Sequence, residues 1–390
     1  MQTQTKENYF LSQPHQPFFL LGIINAIVMM LLFALSYKGI ISLHVDTAIF
    51  HSYSLIFLVF TNFFTGFIFT TFPRFNQTEG IEKKYYSNIF YANALASLLF
   101  IAGAFTSQTL LVMAMLLSLF SQFFIVLKLQ KIYKTSRAAD KSDSFWILGA
   151  NYFGLFGNFL FIFSLFYASI LPVAVALSFY MYLIFLAFSV GQRMIPFFSH
   201  SFAQKNENFV KIIFVLFVLK SIFAWADIKS VQILIDLLLA VYMFIEFKRW
   251  DLHPLQSPPI LWVLHLALFW LPLAFFLSAL SLTAEIFLDT SFYFLNIHLL
   301  AIGFLTTLLM GFGTRVTLGH SGQAPQADKL ATKIFLLIQI VVLLRALYSI
   351  NVAFGWGLNF LFDISFTAWI LLFLVWGGRY FKVLVFGSKL

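Results

Sequence analysis

Apolar residues in this chain neither alternate with polar ones nor recur on only one helical face. They run almost unbroken for about 20 residues at a time, the length of a helix that crosses a bilayer. Twelve such runs are read: Phe18–Tyr37, Ala48–Phe72, Tyr86–Phe105, Leu110–Leu127, Phe145–Phe166, Ile170–Val190, Phe209–Trp225, Val231–Phe247, Ile260–Leu280, Phe292–Phe312, Ile334–Ser349 and Phe360–Trp376. Strands of a membrane barrel would alternate over about 10 residues. The pattern therefore predicts an all-α membrane protein, a bundle of about 12 transmembrane helices in a single polytopic domain spanning residues 1–390. Residues 1–17 are largely polar and read as a short tail, with nothing resembling a cleaved signal.

The polar positions between the runs add an orientation. Eighteen Lys and Arg residues follow even-numbered runs or lie in the C-terminal tail, from Arg74 and Lys83 through to Lys389. About three, Lys38, Lys229 and Arg345, are assigned to the loops of odd-numbered runs. Loops rich in Lys and Arg stay in the cytoplasm, so both termini and the even-numbered loops are expected there.

Composition agrees with this class. The chain is 61% hydrophobic and 10% charged, against roughly 45–50% apolar residues in soluble domains. Its net charge of +9 would suggest nucleic acid in a soluble protein. Here loop asymmetry accounts for the excess, and no nucleic-acid partner is expected. There is no cysteine, which excludes disulfides, thiolate metal sites, iron–sulfur clusters and covalent haem attachment. Any metal or haem falls to His, Met, Tyr, carboxylate or backbone oxygen.

The stretch Asp289–Gly322 concentrates the candidate chemistry. An imidazole inside hydrocarbon is costly unless it meets a partner, so His298, expected one to two turns deep, is a candidate ligand. Arg315 and His320 are expected just past the far end of the helix, in a turn bounded by Gly319 and Gly322. Gly303, Thr307 and Gly311 form a smooth stripe suited to close helix packing. Depth matches His298 with His51, near the external start of the second run. It likewise matches His320 with His265, about one turn into the ninth run from the cytoplasmic side. Two imidazoles facing each other across a bundle can hold haem iron from both sides, or one can bind iron and another copper. Interhelical hydrogen bonds to Ser, Thr or carbonyl groups account for such pairs equally well.

Other polar residues read more plainly. His15 and His200 are expected to be solvated loop residues. Arg315 is a partner for a haem propionate or another anion, or a topology-fixing cation. Arg193 precedes Pro196, which ends or kinks the sixth helix. It either snorkels to the interface or pairs with a propionate or with Asp227, Asp236 or Glu246. Carboxylates in or near apolar runs are few (Asp236, Glu246 and Asp363), and no dense proton chain is visible.

Several stretches together resemble the NnrS family. They are HPLQSPPILWVLHLALFWLPLAF, Phe292–Gly322 ending in TRVTLGHSG, GQRMIPFF, QPFFLLG, and FHSYSLIFLVFTNFFTGFIFTTFP. The resemblance implies a twelve-helix protein of the bacterial inner membrane, linked to nitric oxide metabolism and nitrosative stress. It also implies non-covalent b-type haem and copper as cofactors. Its expected partners are the lipid bilayer and a small ligand such as nitric oxide. His51, His265, His298 and His320 fall where the family has histidines. The family's second helix typically opens W-H-x-H-E-M, whereas here it opens Phe50-His51-Ser52-Tyr53-Ser54-Leu55. The second histidine is replaced by Tyr53 and the glutamate by Ser54, which bears on the copper site. Two other classes stay open: a secondary transporter of a small molecule or metal chelate, and an assembly factor for haem–copper enzymes.

Overall fold

The computed structural model describes residues 9–390. All twelve runs form helices: α1 His15–Tyr37, α2 Thr47–Phe75, α3 Lys83–Thr106, α4 Gln108–Lys134, α5 Ser142–Ser164, α6 Ala168–Phe198, α7 Phe209–Trp225, α8 Lys229–Arg249, α9 Pro259–Leu288, α10 Leu295–His320, α11 Lys329–Phe354 and α12 Phe360–Phe386. Eleven are long and apolar enough to cross a membrane, and α7, at 17 residues, is the shortest. No strand accompanies them among the described residues. Hydrocarbon offers the backbone no hydrogen bonds, so each long apolar run closes its own as a helix.

The ends depart from the apolar runs in informative ways. Helix α1 starts at His15, so the expected polar tail ends sooner, and His15, Gln16 and Pro17 are buried. Gln16 Oε1 accepts from Ser12 Oγ at 3.0 Å and from Gln13 N at 2.8 Å, which satisfies polar groups at the helix entry. Asp46 caps α2 by accepting from Ala48 N at 2.8 Å and Ile49 N at 3.2 Å. Asp328 caps α11 by accepting from Ala331 N at 2.8 Å. Arg345, assigned by sequence to the eleventh loop, lies inside α11.

The helices gather into two compact units. Among the described residues the first holds 9–144, 313–325 and 373–390, and so contains α1 to α4 and the last turns of α10 and α12. Within it, Trp376 Nε1 of α12 donates to Thr314 Oγ1 of α10 at 3.1 Å. The second holds residues 145–312 and 326–372, and so contains α5 to α9, most of α10, all of α11 and the start of α12.

Three helices are not uniformly α-helical. Helix α2 widens to π geometry over Ser54–Phe60, α6 over Leu177–Ile184 and α10 over Leu299–Thr306. These are every fourth helix, and they are also the most deeply buried of the eleven long spans. π-Helical turns are rare and often mark functional sites.

The small-residue stripe of α10 packs as its sequence suggests. A Cβ on Gly303 would come within 2.7 Å of the Trp270 ring of α9, and one on Gly311 within 2.6 Å of Leu264 on the same helix. Between them Thr307 Oγ1 accepts from Gln339 Nε2 of α11 at 3.3 Å, and Gln339 Oε1 accepts from Trp270 Nε1 at 2.7 Å.

Candidate functional site

In the first unit the structure brings together two histidines that sequence reasoning kept apart. His15, at the start of α1, and His320, at the end of α10, have ring centroids 4.9 Å apart at 45°. His15 is not solvated as expected: it is 1% exposed, and its Nδ1 has no hydrogen-bond partner. Its burial follows from the early start of α1 and from Gly66 of α2. A Cβ at Gly66 would come within 3.1 Å of the His15 Cα, so α2 can press against this turn only without a side chain there. Arg74, in the last turn of α2, bears electrostatically on both rings. His320 closes its helix rather than following it in a turn, and the chain then reverses at Gly322, with φ +71°. Gly319 sits inside the helix. Arg315 is half-buried in the same final turns.

At the other end of α2, His51 stacks on Phe33 of α1, with centroids 4.0 Å apart and the rings 28° from parallel. The π segment begins three residues later. Tyr53 is fully buried between Phe57 and Phe100, and its hydroxyl lies 3.5 Å from the Met115 carbonyl. That is a packing role. Ser54 Oγ donates to the His51 carbonyl at 3.2 Å.

In the second unit His298 stands in the first turn of α10, shallower than expected. The apolar run starts at Phe292, but Tyr293 (φ 34°) and Phe294 (φ 57°) are in left-handed conformations, which bars a helix until Leu295. Two such non-glycine residues in succession are strained. The Ser349 hydroxyl donates to the Tyr293 carbonyl at 3.1 Å, and Arg345 lies over the Tyr293 ring at 5.8 Å. His298 Nδ1 is 2.9 Å from the Phe294 carbonyl. A carbonyl only accepts, so Nδ1 carries a proton, and in the neutral ring Nε2 holds the lone pair.

His265 of α9 is buried, with Nε2 2.7 Å from Ser199 Oγ, just past the end of α6. Arg193 is half-buried, six residues before Ser199. Two of the carboxylates considered for it are engaged elsewhere. Asp236 pairs with Lys220, and Glu246 pairs with Arg249 at 3.2 Å and accepts from Trp250 Nε1 at 3.1 Å.

His51 and His298 thus lie in different units, as do His265 and His320. The two arginines sort by distance. Arg315 is 17 residues along α10 from His298, about 25 Å at 1.5 Å per residue. It can therefore serve only an anion at the His320 end. Arg193 is placed likewise, near the Ser199–His265 contact.

Sequence reasoning missed a further group in the second unit. Lys220 of α7 and Asp236 of α8 form an ion pair at 2.7 Å, with side chains 1% and 0% exposed. Ser278 of α9, Tyr180 of α6 and Asn296 of α10 surround it.

Among the described residues no three or more His, Asp or Glu side chains gather as a metal-ligand group. The imidazole donors are single, or paired as in His15 with His320. Haem iron asks no more of a protein, because the porphyrin supplies the remaining nitrogens. The donor chemistry therefore fits haem, and the two-imidazole set fits copper.

The family model described as NnrS protein matches residues 9–386. No curated protein matches the chain. The chain belongs to the NnrS family, and membership supports a multi-pass membrane protein associated with nitric oxide.

Proposed function

We propose that this member of the NnrS family binds b-type haem non-covalently through imidazoles drawn from His51, His298, His265 and His320. Copper is its second metal, and nitric oxide meets it at the haem, in the inner membrane of a bacterium. The observation that carries this reading is the 2.9 Å approach of His298 Nδ1 to the Phe294 carbonyl. A carbonyl that fixes the Nδ1 proton also fixes the ring and raises the basicity of Nε2, which is how ligating histidines are commonly held. Haem, when bound with a coordination position open, supplies an iron at which nitric oxide binds.

The chain's own residues do the rest. His298 would hold the iron through Nε2, with the Phe294 carbonyl orienting it. Arg315 would offer charge-assisted hydrogen bonds to the propionates of a haem held by His320, and Arg193 to those of one held by His265. His15 adds a buried nitrogen beside His320, and these two imidazoles would hold copper. Tyr53, packed among phenylalanines, takes no ligand role.

The test is a reduced-minus-oxidised visible spectrum of protein purified in mild detergent, repeated after adding nitric oxide, with metal analysis of the same sample. A haem spectrum that shifts with nitric oxide is expected. His298→Ala should lose haem, His15→Ala should lose copper with haem retained, and exposed His200→Ala should lose neither. Equal haem content in His298→Ala and His200→Ala overturns the ligand assignment. A colourless, metal-free protein made with ample haem supply overturns the reading as a whole.

A further inference from the structure

The Lys220–Asp236 pair is costly. Both charges have left water, buried between α7 and the membrane-length helix α8, where an apolar pair of similar volume would serve stability as well or better. Ionisable groups in such places mark pathways for protons or ions. The geometry is that of a site able to change its proton content. Lys220 Nζ lies 2.7 Å from each Asp236 oxygen, but its hydrogen bond goes to Oδ2. Ser278 Oγ also donates to Oδ2, at 2.7 Å. Oδ1 is buried and, beyond the same Nζ 2.7 Å away, accepts no hydrogen bond. It is the atom on which a proton can sit.

The surroundings offset part of the cost of neutralising the carboxylate. Lys220 Nζ lies over the face of the Tyr180 ring, 5.5 Å from its centroid, a contact that does not depend on the charge of Asp236. The Ser278 hydroxyl both donates and accepts. A polar route leads to the pair along α8, where Lys229, Gln232 and Asp236 fall at i, i+3 and i+7 on one face. At its outer end Lys229 pairs with Glu285 of α9 at 3.0 Å, both about one-third exposed, with Asp227 and Asp289 near Lys229. At its inner end Asn296 Nδ2 lies 3.4 Å from both Ser278 Oγ and Tyr180 Oη, while Asn296 Oδ1 accepts from Ile297 N at 2.8 Å. Asn296 is two residues before His298. The titratable side chains facing the pair are therefore Tyr180 from α6 and, further out, Lys229 and Glu285. Helix α9 otherwise contributes Ser278, and α10 contributes Asn296.

We propose that Asp236, held by Lys220, Ser278 and Tyr180, is a proton-binding site reached from the α7–α8 hairpin and linked through Asn296 to the head of α10. On uptake, Asp236 passes from carboxylate to carboxylic acid with the proton on Oδ1. Lys220 remains an ammonium, and the pair gains one positive charge with no electron transferred. The link to a metal at His298 rests on the function proposed above, whereas proton uptake does not.

The experiment is pH-difference infrared spectroscopy of the full chain in lipid, in water and in heavy water. Acidification should raise a carboxylic-acid carbonyl band that shifts in heavy water, is absent from Asp236→Asn, and moves in frequency in Ser278→Ala. If Asp236→Asn folds poorly, the double variant Lys220→Met/Asp236→Asn leaves no stranded charge and should lack the band too. A wild-type spectrum without the band, or a band that survives in these variants, overturns the site. In haem-loaded protein the visible spectrum should shift with pH in the wild type and not in Asp236→Asn. An infrared band without that difference overturns the link to α10 and leaves the proton site standing. Colourless protein with the infrared band present refutes the haem reading alone.

Discussion

Helices α2 and α10, one in each unit over these stretches, open in the same way and are supported differently. Each carries a histidine near its start, His51 or His298, and then widens to π geometry. Each repairs the wide turns with threonine hydroxyls that reach back five residues. Thr61 donates to Ile56 O at 2.8 Å, Thr306 to Ala301 O at 2.8 Å and Thr307 to Ile302 O at 3.4 Å. Around the α2 segment the remaining partners are neutral. The Leu58 carbonyl accepts from Asn25 at 2.6 Å and Asn62 at 2.7 Å, and Asn62 Oδ1 accepts from Asn93 at 2.9 Å. Around the head of α10 they include a buried ion pair. A neutral amide cluster can be intact or broken, whereas an ion pair can also change its charge. The same backbone device is thus held by neutral amides in α2 and lies, through Asn296 and Ser278, beside a buried ion pair at α10.

The largest effect should come from breaking that ion pair on one side. Asp236→Ala strands a buried ammonium and should cost about 3–5 kcal/mol, with Lys220→Met/Asp236→Asn recovering most of the loss. Unfolding in detergent followed by tryptophan fluorescence checks both. A double variant as unstable as the single one would make the pair a structural element, and the contrast with α2 would fail. Next comes Asn62→Ala, which leaves the Asn93 amide without its acceptor and should cost about 1–3 kcal/mol. Because no charge is involved, that loss should be equal at every pH at which the wild type stays folded. Then comes Gly303→Ala, whose new methyl meets the Trp270 ring and should cost about 1–3 kcal/mol by overpacking. Gly319→Ala, with open space around it, should cost nothing in the same assay and gain up to about 1 kcal/mol, because alanine favours the helix.

These contrasts also show what the amino-acid order discloses. All twelve helices were legible, because in hydrocarbon the length of an apolar run nearly dictates the helix. The Gly303–Gly311 stripe was legible for a related reason: close approach needs small residues, and they recur at helical spacing. The depth of His298 was not, since hydropathy does not register that Tyr293 and Phe294 turn left-handed. His15 was misread because its neighbours are polar, yet Gln16 turns that polarity inward to bond Ser12 and Gln13. The Lys220–Asp236 pair had a signal that went unused. Each residue lies about two turns from the hairpin at 226–228, so antiparallel packing places them at one depth. The π segments left no recognisable trace beyond the threonines that follow two of them.

The smallest expected effect falls on α2 and tests its claim to be the inert partner in the comparison. Tyr53 takes the place of the second histidine in the resemblance noted above, and its hydroxyl lies 3.5 Å from the Met115 carbonyl. Its ring is stacked on Phe100 at 5.2 Å and touches Phe57 at 5.0 Å. Tyr53→Phe keeps both ring contacts and should change stability by about 1 kcal/mol, the net worth of a hydroxyl hydrogen bond. Haem content and the nitric oxide shift should match the wild type. A loss of haem in Tyr53→Phe, with no greater loss of stability, would show that the phenol oxygen binds metal. The α2 segment would then be chemically active in its own right.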